Sequence, residues 1–378
     1  MSLDLYLPAF PAIATSYGTD TGSVQLTMSA CLLGLGLGQV IWGPISDRYG
    51  RRRPLVMGLS IFIVASLLIA VAPTFTVMVL LRLAQALGGS AGIVIARAAV
   101  RDLYSGVELA RAMSAIVTVF ALAPVVAPLL GSAVLLVAPW EWMFVALAAF
   151  GVLCLIGVFL MPETLPSSRR TEHGFVGALR QYGTILSSGA FRTTAAIAAL
   201  GSVALFTYIS SSPAVLIDTY GLSQTGFALT FAALSLCFAL GAQINRRLLR
   251  AHGVTSLLRS SVTTQLVASI VVLISALVTA RLPVLMIPLV IAMMTVAGVN
   301  SNAMALSLDP FPRSAASAAA LVGGLQMTMG AVASAILSAL TFRPAVEMGL
   351  GMTVAGALSV SLIGVGLMLA RKRDVRTV

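Results

Sequence analysis

A chain of 378 residues with 59% hydrophobic and only 9% charged residues, and a mean hydropathy of +1.02, has too few charges to cover a water-facing surface; soluble domains carry about 25% charged residues. The composition fits a chain whose outer face meets lipid. A formal charge of +11 would suit nucleic acid, but the basic residues are placed as topology signals, so no nucleic-acid partner is expected.

Met1–Ser16 is apolar, too short to span a membrane, and broken by Pro8 and Pro11. It lacks the basic start and long apolar core of a signal peptide. It reads as the outer half of a helix whose inner half is absent, through a misassigned start or because the chain is a fragment. A spanning helix needs about 20 apolar residues at about 1.5 Å each. Eleven runs qualify: Val24–Gly43, Pro54–Ala72, Thr76–Ala96, Ala110–Leu130, Trp142–Met161, Thr193–Ile217, Thr225–Asn245, Leu257–Thr279, Val284–Met304, Ala315–Leu340 and Met348–Ala370. The alternation of transmembrane strands is absent from the sequence.

If Val24–Gly43 runs from outside to inside, every basic residue except Arg82, Arg281 and Arg343 lies on the cytoplasmic side. That is the asymmetry that orients membrane helices. The expectation is a multi-pass protein of the bacterial inner (plasma) membrane with a cytoplasmic C-terminus. The longest polar interruption, Pro162–Ala190, divides the chain into an N-terminal bundle (1–161), a cytoplasmic linker (162–190) and a C-terminal bundle (191–378). Counting the partial first helix, each bundle has six helices, and parallel halves of this kind hold their site at the shared interface. A weak internal repeat agrees: the basic turn after Gly43 corresponds in position to Asn245-Arg246-Arg247-Leu-Leu-Arg250.

The outer turns Pro73–Phe75, Arg281–Pro283 and Thr341–Glu347 are short. Trp140 and Trp142, flanking Glu141, are expected as headgroup anchors. Cys31, Cys154 and Cys237 sit inside spans without CxxC spacing and read as small buried hydrophobes. His173 and His252 fall in cytoplasmic loops. No metal site or cofactor is expected. An intramembrane enzyme would need paired acids or a catalytic His at the membrane, whereas Asp4 is the one carboxylate placed within a span and Asp102 and Glu108 read as a loop pair.

Four motifs carry a family resemblance. Gly43-Pro-Ile-Ser-Asp47-Arg48-Tyr-Gly50-Arg51-Arg52-Arg53 resembles the loop signature G-x-x-x-D-R-x-G-R-R of the major facilitator superfamily. Arg82-Leu-Ala-Gln85-Ala-Leu-Gly88-Gly89 resembles its fourth-helix motif. Ala127-Pro128-Leu-Leu-Gly131-Ser132 resembles its antiporter motif, with Ala127 and Ser132 in place of glycines. Pro162-Glu163-Thr164 resembles the usual end of the sixth helix. Asp4-Leu-Tyr6-Leu-Pro8-Ala, Ala96-Arg97-Ala-Ala-Val-Arg101-Asp102, Ser212-Pro213 and Tyr220-Gly221-Leu222-Ser223 are similar to the Bcr/CflA-type drug:proton antiporters, exporters of bicyclomycin and chloramphenicol. The resemblance implies an all-α fold of two six-helix bundles and proton-coupled antiport by alternating access. Its partners would be small amphipathic drug-like substrates, protons and membrane lipids. The alternative is a proton-coupled exporter of a metabolite such as a sugar, an amino-acid derivative or a polyamine. With no G-x-x-x-x-G-K-[ST] in the sequence, the proton gradient rather than ATP is the expected energy source. The chain is expected to act as a monomer.

Asp4 is the sharpest candidate, because carboxylates at membrane depth are costly and mark function. With its helix ending near Ser16, Asp4 lies about 18 Å below the outer surface. The resemblance makes it the proton carrier and places Arg82 beside the first helix, where it would tune that site. The alternative for Arg82 is an anchor snorkelling to the outer interface. Gly43, Asp47, Arg48, Gly50, Arg51, Arg52 and Asp102 read as a conformational latch, or as topology signals alone. The resemblance sets Asp47 beside the start of the eleventh helix near Arg313–Ala315, at the positive end of its dipole; Arg48 or Arg51 are its other candidate partners, with Asp102 joining. Gly34-x-Gly36-x-Gly38, Gly88-Gly89-x-x-Gly92 and Gly323-Gly324 read as close helix approaches. Pro124 and Pro128 should bend the fifth helix. Tyr6, Gln85, Tyr208, Asn302 and Gln326 are the candidate substrate-binding groups, or bridges between helices.

Overall fold

Chain segments with this pattern have one economical solution in lipid: helices that satisfy every backbone group internally. The computed structural model describes residues 2–170, 174–278, 281–340 and 342–374, and these form helices joined by short turns. Met1, His173 and Arg376 lie outside the described residues. In chain order the helices are α1 (Phe10–Tyr17), α2 (Thr21–Tyr49), α3 (Arg52–Ala70), α4 (Phe75–Leu103), α5 (Gly106–Val137), α6 (Glu141–Leu160), α7 (Gly174–Ser187), α8 (Gly189–Pro213), α9 (Gln224–Leu248), α10 (Val254–Val278), α11 (Leu282–Leu308), α12 (Ala315–Ser338) and α13 (Pro344–Asp374). Among the described residues eleven of them, all but α1 and α7, are long and apolar enough to cross a membrane. Their number and order are those read from the sequence.

The boundaries differ from the apolar runs because polar caps, not the limits of hydrocarbon, end a helix. Asp20 caps α2 by accepting from Ser23 N at 2.8 Å, and Thr74 Oγ1 caps α4 by accepting from Val77 N at 3.3 Å. Asp102 and Glu108, expected in a loop, therefore sit in the last turn of α4 and the first turn of α5. The linker also contains a helix, α7, that the sequence reading did not anticipate. It buries Tyr182 and Ile185, and the Tyr182 hydroxyl donates to Val40 O on α2 at 3.2 Å. Burial, aided by Asp47, pushes the Tyr182 phenol up to about 12, so it remains a donor at neutral pH. Gln181 grips the start of α12, donating to Ser314 Oγ at 3.0 Å and accepting from Ser317 Oγ at 2.9 Å. One short helix thus holds both α2 and α12.

Helix packing relies on missing side chains. In the N-terminal bundle α4 lies between α2 and α3. A Cβ added to Gly88 would sit 2.5 Å from Gly58 O, and one added to Gly34 would meet the Leu83 carbonyl. Trp42 Nε1 locks the same contact by donating to Leu87 O at 2.7 Å. Between the bundles, α2 runs along α12 with Gly36 facing Gly324; a Cβ on Gly36 would lie 3.0 Å from Gly324 O. The second inter-bundle contact joins α5 to α9, where Ser132 and Thr225 share a hydroxyl hydrogen bond of 3.3 Å. Of the glycines read as close approaches, Gly92 alone has nothing within 4 Å of an added Cβ. Trp140 departs from the expected anchor role. It is 5% exposed and donates to Ser16 Oγ at 3.0 Å, while Trp142 is 56% exposed.

Gly88→Val should separate α3 from α4 and destabilise the protein by about 1–3 kcal/mol, as overpacking does. Thermal unfolding in detergent checks this against Gly92→Val, which should leave the transition in place.

Candidate functional site

Two groups of polar residues stand out from the apolar framework: one inside the N-terminal bundle, one at its arginine-rich end. The first is built on Arg82. It lies two turns past the Thr74 cap, about 12 Å along α4, and is fully buried. This rules out the snorkelling alternative. Its guanidinium stacks 4.1 Å above the Tyr6 ring and 5.6 Å from the Phe144 ring. Nη1 donates to Gln85 Oε1 at 2.5 Å and Nη2 to Ser2 O at 3.1 Å. Behind it, Gln85 Nε2 donates to Ser66 Oγ at 2.7 Å, and Ser66 Oγ donates to Phe62 O. Tyr6 is held by a 3.0 Å hydrogen bond shared with Thr27. Ring faces and neutral acceptors of this kind are the partners a buried cation requires.

Asp4 is 6% exposed in the turns before Leu7–Ala9, two residues before the Tyr6 ring that carries the Arg82 guanidinium. The antiporter-motif glycine explains how α5 reaches this segment: a Cβ on Gly131 would collide with Leu5 O. Pro124 and Pro128 both lie inside the uninterrupted helix α5.

Tyr208 comes from the other bundle. It stacks on Phe231 with ring centroids 5.6 Å apart, and its hydroxyl is buried without a hydrogen-bond partner. Thr207 Oγ1 and Ser211 Oγ, one turn apart on α8, are likewise buried and unpartnered. The sequence reading passed over both. Beyond Pro213 the helix widens into a π-turn over Ala214–Thr219, a local form frequent at functional sites. The remaining pocket candidates face other helices. Asn302 and Asn245 exchange amide hydrogen bonds of 2.9 and 3.2 Å between α11 and α9. Gln326 Nε2 donates to Ala198 O at 3.4 Å, joining α12 to α8. Gln85 serves Arg82. For these three the bridging alternative describes the geometry.

The second group is centred on Arg51. Nε donates to Asp102 Oδ2 at 2.8 Å, and Nη1 donates to Asp47 Oδ1 at 2.5 Å and to Ser46 Oγ at 2.9 Å. Of the partners the sequence left open for Asp47, Arg51 is the one it pairs with, and Asp102 joins them. Arg48 stays outside this network, over the ring of its neighbour Tyr49. Asp47 faces the start of α12 across a cavity of about 510 Å³ that Gly43, Arg101, Ser317 and Ala320 also line.

Glu163 completes the group and had drawn no role from the sequence. Its carboxylate accepts from Arg51 N at 2.7 Å, Arg52 N at 3.1 Å and Leu165 N at 3.0 Å, so a residue after α6 caps the N-terminus of α3. The Arg52 side chain returns the contact by donating to Phe159 O at 2.9 Å. Gly50 permits this. Its φ of +87° is left-handed, and a Cβ would fall 2.5 Å from Glu163 Oε2. Burial pushes the Glu163 carboxyl up, but the amides of Arg51, Leu165 and Arg52, with Arg170 nearby, outweigh it and hold the carboxyl below the usual range.

Two bundles joined by a linker helix, with a buried arginine inside one and an arginine-centred network at its end, are an architecture of membrane transporters. The family description "Major Facilitator Superfamily" matches residues 1–338, and the chain belongs to that superfamily; it is a transporter rather than an enzyme. It is 34% identical over 361 residues to the uncharacterized MFS-type transporter YdgK of Bacillus subtilis, covering 95% of this chain and 90% of the relative. It is 26% identical over 351 residues to the bicyclomycin resistance protein homolog of Haemophilus influenzae, covering 92% and 87%. The crystal structure of a D-xylose-proton symporter superposes with a TM-score of 0.73 at 13% identity, covering 94% of this chain and 92% of that one, which supports the fold.

The Glu163 cap has a pH signature. A carboxyl lowered on folding stabilises fully above its unfolded value of about 4.3 and loses that contribution as pH falls through the folded value. Glu163→Gln should cost about 1 kcal/mol at pH 7, as loss of a helix cap does, less in high salt because the group is exposed. Thermal unfolding of the variant and the parent should converge as pH falls through the folded value, which lies below that of the unfolded chain.

Proposed function

We propose that this protein is a proton-coupled exporter of small amphipathic drug-like molecules, working as a monomer by alternating access in the inner membrane of a bacterium with its C-terminus cytoplasmic. The moving parts are the bundles 1–161 and 191–378, joined through 162–190. The observation that carries this reading is the fully buried Arg82, stacked on Tyr6 of the same segment as the buried Asp4, in one bundle, with the buried, unpartnered Tyr208 hydroxyl in the other. The relationship to a drug-resistance protein homolog supports the substrate class.

Arg82 keeps its charge at any relevant pH, so Asp4 is the group of this pair that takes up and gives up a proton. When Asp4 is charged, the pair is neutral overall and the two ions compensate each other in a dry site. When it is protonated, Arg82 depends on Gln85, Ser2 O and the rings of Tyr6 and Phe144. In the outward-open state Asp4 takes a proton and substrate leaves. In the inward-open state substrate enters and the proton departs to the cytoplasm. Tyr208, Thr207 and Ser211 offer hydroxyls to the substrate, and apolar neighbours such as Phe231 supply the surface for its greasy part. The Arg51 network holds α2, α3 and α4 as one body while the bundles tilt.

Adding drug to weakly buffered purified protein should release protons. Asp4→Asn should abolish that release, and unchanged release would remove Asp4 from the mechanism. Tyr208→Phe should weaken drug binding about five- to tenfold, the loss of one hydrogen bond, without changing protons released per drug bound. Uptake by everted vesicles with a panel of drugs and metabolites tests the substrate class. Transport of a metabolite with no drug transported would overturn the drug assignment.

A further inference from the structure

A groove of about 390 Å³ opens on the outer surface of the protein where the two bundles meet. Its walls come from both: Leu37 and Ile41 on α2, Leu321 and Leu325 on α12. Leu186 of the linker helix and Arg192 of α8 close the arginine-rich end. The floor is the Gly36–Gly324 contact, where the absence of side chains lets the two helix backbones touch. Leu37, Leu186 and Leu325 are 45%, 45% and 37% exposed, leaving an apolar cleft open to the membrane.

Arg192 gives the cleft its chemistry. It lies in the first turn of α8, four residues after the Ser188 cap, about 6 Å along the helix and thus at headgroup depth on the arginine-rich side. It is exposed, no acidic residue lines the groove, and among the described residues Arg192 has no ion-pair partner. From Leu321 to Thr328 the α12 wall runs about 10 Å toward the membrane centre. A cation at the mouth of a hydrocarbon slot matches a molecule with a phosphate at one end and an acyl chain at the other. A cationic amphiphile would meet Arg192 with like charge, and a free phosphate would leave the slot unfilled.

We propose that this groove is a binding site for one anionic phospholipid, its phosphate on Arg192 and one acyl chain laid between α2 and α12. Because the walls belong to different bundles, the lipid contacts both, and its affinity depends on how they are set against each other. The site is separate from Asp4 and Arg82, and its occupancy is read without transport.

Native mass spectrometry of the purified full chain, titrated with phosphatidylglycerol or phosphatidylcholine, tests it. The first phosphatidylglycerol should bind about fivefold tighter than phosphatidylcholine, the preference one arginine gives near a membrane surface. Arg192→Gln should remove that preference, Arg192→Lys should retain it, and Arg259→Gln, on another face, should leave it intact. Leu325→Trp, which fills the slot, should weaken both lipids, and Ile41→Trp does the same from the other wall if the first variant fails to fold. Equal affinity for the two lipids in the parent protein would overturn the site. So would a preference that persists in Arg192→Gln, or inorganic phosphate displacing the lipid at equal concentration.

Discussion

An arginine held out of water organises the middle of this molecule. Transferring a guanidinium from water to a protein interior costs several kcal/mol unless its donors and its charge are met. Arg82 is fully buried, and its surroundings answer that cost one group at a time. Gln85 Oε1 and Ser2 O accept from its two terminal nitrogens, the Tyr6 and Phe144 rings cover its faces, and only Nε is left without a hydrogen-bond partner among the described residues. Each partner then needs its own support. Ser66 fixes Gln85, Thr27 fixes Tyr6, and Gly131 lets α5 come close to the backbone beside Asp4. The short first helix, which could not span a membrane alone, is kept in place by these obligations and by aromatic contacts of Tyr17 and Trp140 at its end.

The arginine-rich end follows a different logic. There Arg51 is buried, but the side chain of its partner Asp47 is half-exposed and the capping Glu163 is exposed, so much of the network is screened by water and its value lies largely in geometry. Arg51 ties the end of α2 to the end of α4, while Glu163 ties the segment after α6 to the start of α3. All of these links lie within one bundle. Among the described residues the polar ties across the bundles include Ser132 with Thr225, Ser334 with Gln25 O, Asp218 with Thr21, and α7 with its grip on Val40, Ser314 and Ser317. A structure stitched tightly within each half suits halves that move as units. The glycine-lined contact of α2 with α12 offers a smooth surface on which to do so.

The sequence alone determined the solvent, the number of spanning helices and the family. Hydrocarbon of fixed thickness demands apolar runs of fixed length, and a run of twenty is visible in one dimension. It also marked Asp4, Arg82 and Arg51 as exceptional, since a charge in or beside such runs must have a reason. What it left open was the use of polar residues that are ordinary by type. Asn302 and Tyr208 looked alike as pocket candidates, yet one is consumed by Asn245 and the other has a bare hydroxyl. Glu163 looked like the end of a helix and proved to be the cap of another one more than a hundred residues earlier. α7 and the burial of Trp140 were hidden for the same reason. Such roles are set by partners far apart in the chain, and no local period or composition encodes which distant backbone will arrive at hydrogen-bonding distance.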